Sequence, residues 1–103
     1  MVARLMVLYG HPQDAAAFDT YYEHTHAPIA KAVPGLISFT ASVGPVGTPA
    51  GPSDYHRVAT LSWESMGDLQ AALSSPEGGA AAGDLANFAT GGATMLVFEE
   101  RDV

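Results

Sequence analysis

Apolar and polar residues along this chain alternate between strand-like and helix-like periods. Ala3 to Tyr9 is a nearly continuous apolar run broken only by Arg4 and closed by Gly10-His11-Pro12, which predicts a buried strand. A helix should follow: Asp14 suits its N-cap, the alanines and Phe18 favour propagation, and Pro34-Gly35 must stop it. Pro28 falls inside this window and predicts an end or a kink, leaving His26 within a turn of released carbonyls. From Leu36 to Val43, Ile37, Phe39, Ala41 and Val43 alternate with their neighbours as in a strand. The glycines and prolines of Gly44 to Asp54 predict a long loop that serves as a lid or a dimer arm. Tyr55 to Trp63 alternates again, a third strand. Ser65 opens a helix through Leu69 and Leu73, and Ser75-Pro76-Glu77 starts a short turn weakened by Gly78-Gly79. One further turn over Asp84 to Phe88, a break at Thr90-Gly91-Gly92 and a last strand from Ala93 to Glu99 complete the order β-α-β-β-α-β. This is the α+β, ferredoxin-like arrangement with an antiparallel sheet.

Two helices cover one face of such a sheet, yet the strands are apolar on both sides: Met6 and Leu8 against Leu5, Val7 and Tyr9, and Leu96 and Phe98 against Met95 and Val97. A homodimer packed sheet on sheet would cover the second face. The 103 residues suit a single domain, residues 1–103, that buries about 65% of its unfolded surface, so burial by a partner is welcome. A formal net charge of −7 leaves too few cations to neutralise phosphates, and nucleic acid is excluded as a partner. Without cysteine there is neither disulfide nor thiolate chemistry. No run approaches the ~20 apolar residues of a membrane span, and Met1-Val2-Ala3-Arg4 leads into a short strand with no signal-peptide core. A cytoplasmic protein without membrane contact is the expectation.

Chemistry concentrates between Phe18 and Ile29, where two imidazoles, two phenols and a carboxylate share about three helical turns. Phe18, Tyr22 and Ile29, with Thr25 or His26, form one stripe, and Tyr21 and His24 lie beside it. His26 suits a general base or acid because an imidazole exchanges protons around neutral pH; its alternative role is to cap carbonyls freed near Pro28. His24 and His26 do not share a helix face, and neither His11 nor His56 has motif spacing to them, so no metal site is predicted. Nothing resembles a haem-binding motif, and neither GxGxxG nor GxxxxGK occurs, so no cofactor is expected. Tyr22, Phe39, Trp63 and Phe88 can line an apolar pocket or simply fill the core, and Tyr9 and His11 can reach it from the end of the first strand.

Phe18, Tyr21-Tyr22, His24, His26-Ala27-Pro28 and Pro34-Gly35-Leu36 resemble the N-terminal signature of the EthD-like family in the dimeric α+β barrel superfamily. The likeness continues in Trp63-Glu64-Ser65, Leu69 to Leu73, Ser75-Pro76-Glu77-Gly78 and Asp84 to Phe88, so it covers nearly the whole chain. It implies a ferredoxin-like protomer that dimerises face to face, with a cleft between sheet and helices. It also implies that His26 is the family's motif histidine and Asp84 its acidic position before the last strand, while His24 falls where members often keep a polar residue. Asp84 then orients His26 or donates when protonated, or else serves as an N-cap. The family's founders are encoded beside ethyl tert-butyl ether degradation enzymes, and the wider superfamily includes cofactor-free monooxygenases, isomerases, cyclases and dehydratases. Two classes of function follow. One is a cofactor-independent enzyme acting on a small apolar or aromatic metabolite with His26, Asp84 and Tyr22 as its machinery and Tyr9, His11, Phe39, Trp63 and Phe88 around the ligand. The other is a non-catalytic binding or accessory protein that supports an oxidase.

Overall fold

The computed structural model describes residues 1–103. Strand β1, Val2–Gly10, alternates strictly between buried and half-buried positions and is an inner strand of a four-stranded sheet. On one side it pairs antiparallel with β5, Tyr55–Trp63, and on the other with β6, Ala93–Glu100. Strand β2, Ser38–Ala41, adds to the outer edge of β5, giving the order β2-β5-β1-β6. The register sets Leu5 between Leu61 and Val97, so odd-numbered residues of all three strands share one face. That face meets the helices through Ala3, Leu5, Val7, Tyr9, Ala59, Leu61 and Trp63, all buried. The fold is α+β and ferredoxin-like, as expected.

The local differences from expectation have physical causes. Strand β2 is shorter than Leu36 to Val43, although single bonds from Ile37 N–H to Ser62 O and from Ser42 N–H to Val58 O continue the pairing past both ends. The Gly44 to Asp54 segment holds a hairpin of β3, Gly47–Thr48, and β4, Gly51–Pro52. Pro28 does not end its helix; the irregularity lies in the turn before it. The chain runs from α1, Ala15–Tyr21, through a π-helical turn, Tyr22–His26, into α2, Ala27–Lys31. Ala27 N–H reaches back to Tyr22 O, and helical bonding restarts at Ala27, so Pro28 stands in a first turn where its missing N–H costs little.

In the second half, Ser65 caps α3, Met66–Ser74, and Ser75 caps α4, Pro76–Asp84, by accepting from Gly78 N–H at 3.0 Å. The expected weak turn at Gly78-Gly79 is therefore a full helix. Gly78 is required there by close approach: a Cβ would lie 2.2 Å from Ala72 O. A short 3₁₀ turn, Leu85–Asn87, leads to β6. The outer face of the sheet stays uncovered in the single chain, with Leu96 at 49% and Phe98 at 36% exposure. No helix is long and apolar enough to cross a membrane.

Candidate active site

Phe18, Tyr22, His26 and Ala30 recur every four residues and are all buried. Four residues overshoot a 3.6-residue turn, and in an unbroken α-helix such a row would drift off the sheet. The wider π-turn between Tyr22 and His26 cancels part of that drift and keeps the imidazole facing the sheet. Of the two residues open for the stripe, His26 takes the place and Thr25 is exposed.

The imidazole is held on both sides. Its Nδ1 lies 2.9 Å from Asp84 Oδ2, its ring packs 4.6 Å from that of Phe88, and its Nε2 is 3.5 Å from the Tyr9 hydroxyl. His26 makes no side-chain cap bond, so the carbonyl-capping role is absent. Asp84, the last residue of α4, makes no N-cap bond either. Its Oδ1 accepts from the Tyr21 hydroxyl at 2.6 Å and from Asn87 Nδ2 at 3.0 Å. Burial pushes the Asp84 carboxyl up, but Tyr21, Asn87 and His26 together outweigh it and hold the group below its ordinary range. The same bond to Asp84 raises the Tyr21 hydroxyl. An ionised carboxylate only accepts, so Nδ1 carries the proton and the Nε2 lone pair, on the other side of the ring, has only the long 3.5 Å contact from the Tyr9 hydroxyl. Asp84 thus orients His26 and is not a proton donor here.

His26 borders a narrow apolar cleft between sheet and helices, with a cavity volume of about 60 Å³ that opens to solvent. Fifteen of its 17 lining residues are hydrophobic, which suits a ligand with a hydrocarbon body. Tyr9, Tyr22, His26, Phe39 and Trp63 all line it. Trp63 is completely buried, and its Nε1–H is committed to Pro34 O at 2.9 Å. The Tyr22 hydroxyl is buried without any hydrogen-bond partner. Burial pushes it up to about 12 against the opposing Arg57, whose guanidinium lies 4.7 Å from the ring centre. The Tyr9 hydroxyl is raised by burial as well, with Tyr22 adding to the effect.

Two predicted ligand contacts are corrected. His11 lies past the last cleft-facing residue of β1, is exposed, and bonds Ser53 O at 3.0 Å in a separate polar hollow shared with His56 and Arg57. Phe88 does not line the cleft; it is core, packed behind His26 and against Tyr9, Phe18 and Tyr21. Tyr21 and Asn87 were not predicted as site residues. Tyr21 lies off the sheet-facing row, and only the proximity of Asn87 to Asp84 in the chain hinted at contact. No three His, Asp or Glu side chains converge in a way that would hold a metal ion.

A ferredoxin-like layer of sheet and helices, enclosing an apolar cleft with a carboxylate-held histidine at its wall, defines the class. The chain belongs to the EthD family, whose domain matches residues 10–92. It is 41% identical over 101 residues to an uncharacterised 11.0 kDa protein of the thcB-thcC intergenic region of Rhodococcus erythropolis, covering 97% of this chain and 96% of that one. The crystal structure of an ethyl tert-butyl ether D (EthD) family protein from Bacillus halodurans superposes with a TM-score of 0.89 at 34% identity, covering 98% of this chain and all of the other. The fold alone is shared with SnoaB, a cofactor-independent oxygenase from Streptomyces nogalater (TM-score 0.65, 20% identity, 99% of this chain and 94% of that one). It is likewise shared with a dimeric ferredoxin-like protein from Thermobifida fusca (TM-score 0.69, 14% identity, 95% of this chain and 90% of that one).

Proposed function

We propose that this protein is a cofactor-independent enzyme that moves a proton on a small, largely apolar ligand, with His26 as the acid and base. The observation that carries this reading is a buried imidazole at the wall of an apolar cleft, one nitrogen tied to an ionised carboxylate and the other, Nε2, engaged only by a long 3.5 Å contact from the Tyr9 hydroxyl. Such a pairing fixes ring and tautomer and stabilises the imidazolium formed when a proton is taken up. Isomerisation, cyclisation, dehydration and cofactor-free oxygenation can each begin with removal of one acidic proton, and the description of SnoaB as a cofactor-independent oxygenase on the same fold supports this range. Asp84 is a positioning residue, and Tyr22 supplies a hydroxyl to the ligand.

The active form in this reading is a homodimer. Met6, Leu8, Leu96 and Phe98 lie on the uncovered sheet face, and a second copy packed there removes them from water. The dimeric relative of Thermobifida fusca supports that assembly.

The test begins with the ligand. Hydroxylated aromatics are titrated while the fluorescence of Trp63, the only tryptophan and a cleft residue, is followed, and ligands that saturate are assayed for turnover by wild type and His26→Ala. Loss of turnover in a variant that still folds, dimerises and binds is the expected result. Turnover at the wild-type rate overturns the catalytic role of His26. Binding without turnover by either protein makes this a carrier or accessory protein.

A further inference from the structure

The Tyr22 hydroxyl stands apart from every other polar side-chain group at the cleft. Tyr22 is 3% exposed, and its oxygen is the one buried side-chain N or O atom in the protein with no hydrogen-bond partner. Buried polar groups are almost always paired, because leaving one unpaired costs about as much as the hydrogen bond is worth. An orphan hydroxyl on a residue that lines a ligand cleft is explained if the ligand supplies the partner.

The polar inventory of the cleft then restricts that ligand. The Trp63 N–H is spent on Pro34, and Arg57 stacks on the Tyr22 ring without lining the cleft. What remains is the unpaired Tyr22 hydroxyl, together with His26 Nε2 and the Tyr9 hydroxyl, whose only contact is the long one of 3.5 Å with each other. With no cation on the lining, a carboxylate or phosphate would be buried unpaired. The ligand therefore offers an oxygen acceptor and an acidic hydrogen on a neutral apolar body. The ring centres of Tyr22 and His26 are 5.5 Å apart, so the two side chains are neighbours on the wall of one cleft.

We propose that the substrate is a neutral, enolisable carbonyl compound whose oxygen is held by the Tyr22 hydroxyl while the C–H beside the carbonyl faces His26 Nε2. This rests on the base role of His26 argued above and adds the substrate class to it. In the first step Nε2 takes the proton, the C–H electron pair becomes the carbon–carbon double bond, and the carbonyl π pair moves onto oxygen. Tyr22 keeps its own proton and donates to the resulting enolate. Return of the proton from His26, to the same carbon or to a conjugated one, restores the carbonyl as an exchanged or isomerised product and consumes no oxidant or reductant.

Two measurements separate this inference from the reading beneath it. The first compares binding of 2-tetralone with that of tetralin, the same skeleton without the oxygen, by quenching of Trp63 in wild type and Tyr22→Phe. Wild type should favour the ketone by about tenfold, the value of one well-made hydrogen bond, and Tyr22→Phe should erase the preference. No preference in wild type, or one that survives in Tyr22→Phe, overturns the assignment whatever His26 does. The second follows exchange of the 2-tetralone α-hydrogens in D₂O by proton NMR. Wild type should accelerate it, His26→Ala should abolish the acceleration, and Tyr22→Phe should lower it by about 10²-fold, as for loss of one oxyanion donor. Exchange lost in His26→Ala but unchanged in Tyr22→Phe leaves the base and overturns the carbonyl contact, whereas no acceleration by wild type overturns both. Tyr22→Phe keeps the ring and removes an unpaired hydroxyl, so the empty variant should melt above wild type. A lower melting temperature would show a structural partner for the hydroxyl and would also overturn the proposal.

Discussion

Replacing Asp84 by Asn changes one oxygen into an NH₂ group at nearly constant shape. Asp84 Oδ1 takes two donors, Tyr21 and Asn87, whereas Oδ2 takes only His26 Nδ1, so the introduced amide keeps the most bonds with its oxygen at the Oδ1 position. Its NH₂ then confronts Nδ1–H, donor against donor. The imidazole relieves the clash by moving its proton to Nε2, and the lone pair that faced the cleft is lost. Hydrogen bonds to a charged partner contribute about 1.5–3 kcal/mol against about 1 for neutral ones. Three bonds are weakened or inverted, but the carboxylate that made them also carried the cost of burial, which the neutral amide does not, so a loss of about 2 kcal/mol is expected. For a chain of this size that lowers the melting temperature by on the order of 10 °C. Catalysis suffers more, because a wrong tautomer behind an intact geometry costs on the order of 10³- to 10⁴-fold.

The pH dependence of that stability loss has a definite sign. The folded Asp84 carboxyl is held below its ordinary range, so its stabilisation is complete above the unfolded value of about 3.9 and is lost as pH falls through the lower folded value. The gap between wild type and Asp84→Asn should therefore be full at pH 7 and narrow below about pH 4. Melting by circular dichroism across pH, with nitrogen-15 NMR of the histidine tautomer, gives both readouts. A variant with wild-type melting and a proton still on Nδ1 would refute the claim that Asp84 orients His26.

Tyr21→Phe should raise the titration of Asp84 toward the ordinary carboxylate range while leaving the His26 tautomer unchanged, which carbon-13 NMR of the carboxyl reports; an unmoved titration would mean that the 2.6 Å bond does not form in solution. Gly78→Ala forces a Cβ to within 2.2 Å of Ala72 O and 2.9 Å of Leu73 Cα, so α3 and α4 must separate at a cost of about 1–3 kcal/mol, to be measured by urea unfolding. Leu96→Lys on the exposed sheet face should convert the proposed dimer into a monomer in sedimentation. Persistence of a species near twice 10.7 kDa would show that this face is not the interface.

Alternation made two strands of the main sheet readable, since Ile37, Phe39, Ala41 and the odd positions of Tyr55–Trp63 have a period of two, while β1 was legible as a nearly continuous apolar run. The β3–β4 hairpin escaped because its residues are glycine, threonine and proline, with no apolar face to set a period. Pro28 was only partly informative: proline chemistry leaves an end or a kink open, and the wider turn before it is what lets helical bonding restart. His26 was legible from residue type, but its partner was not: Asp84 is 58 residues away, and only family likeness paired them. Tyr21 lies beside the stripe in the sequence, and that position is what lets it reach the far side of Asp84. His11 failed because a strand-end position says nothing about which way the following residue turns.

The π-turn has an evolutionary consequence of its own. A wide turn absorbs one more residue than an α-turn without changing which way the flanking segments face, so the helix can gain or lose a residue at this point and keep its orientation. Deleting the exposed Glu23 should leave a folded chain whose histidine still faces inward but is displaced along the helix axis by roughly one residue's rise, about 1.5 Å. Misplacements of that size cost about 10²-fold in rate. Chain length at this turn thus adjusts how deep the imidazole sits, and does so independently of whether the domain folds.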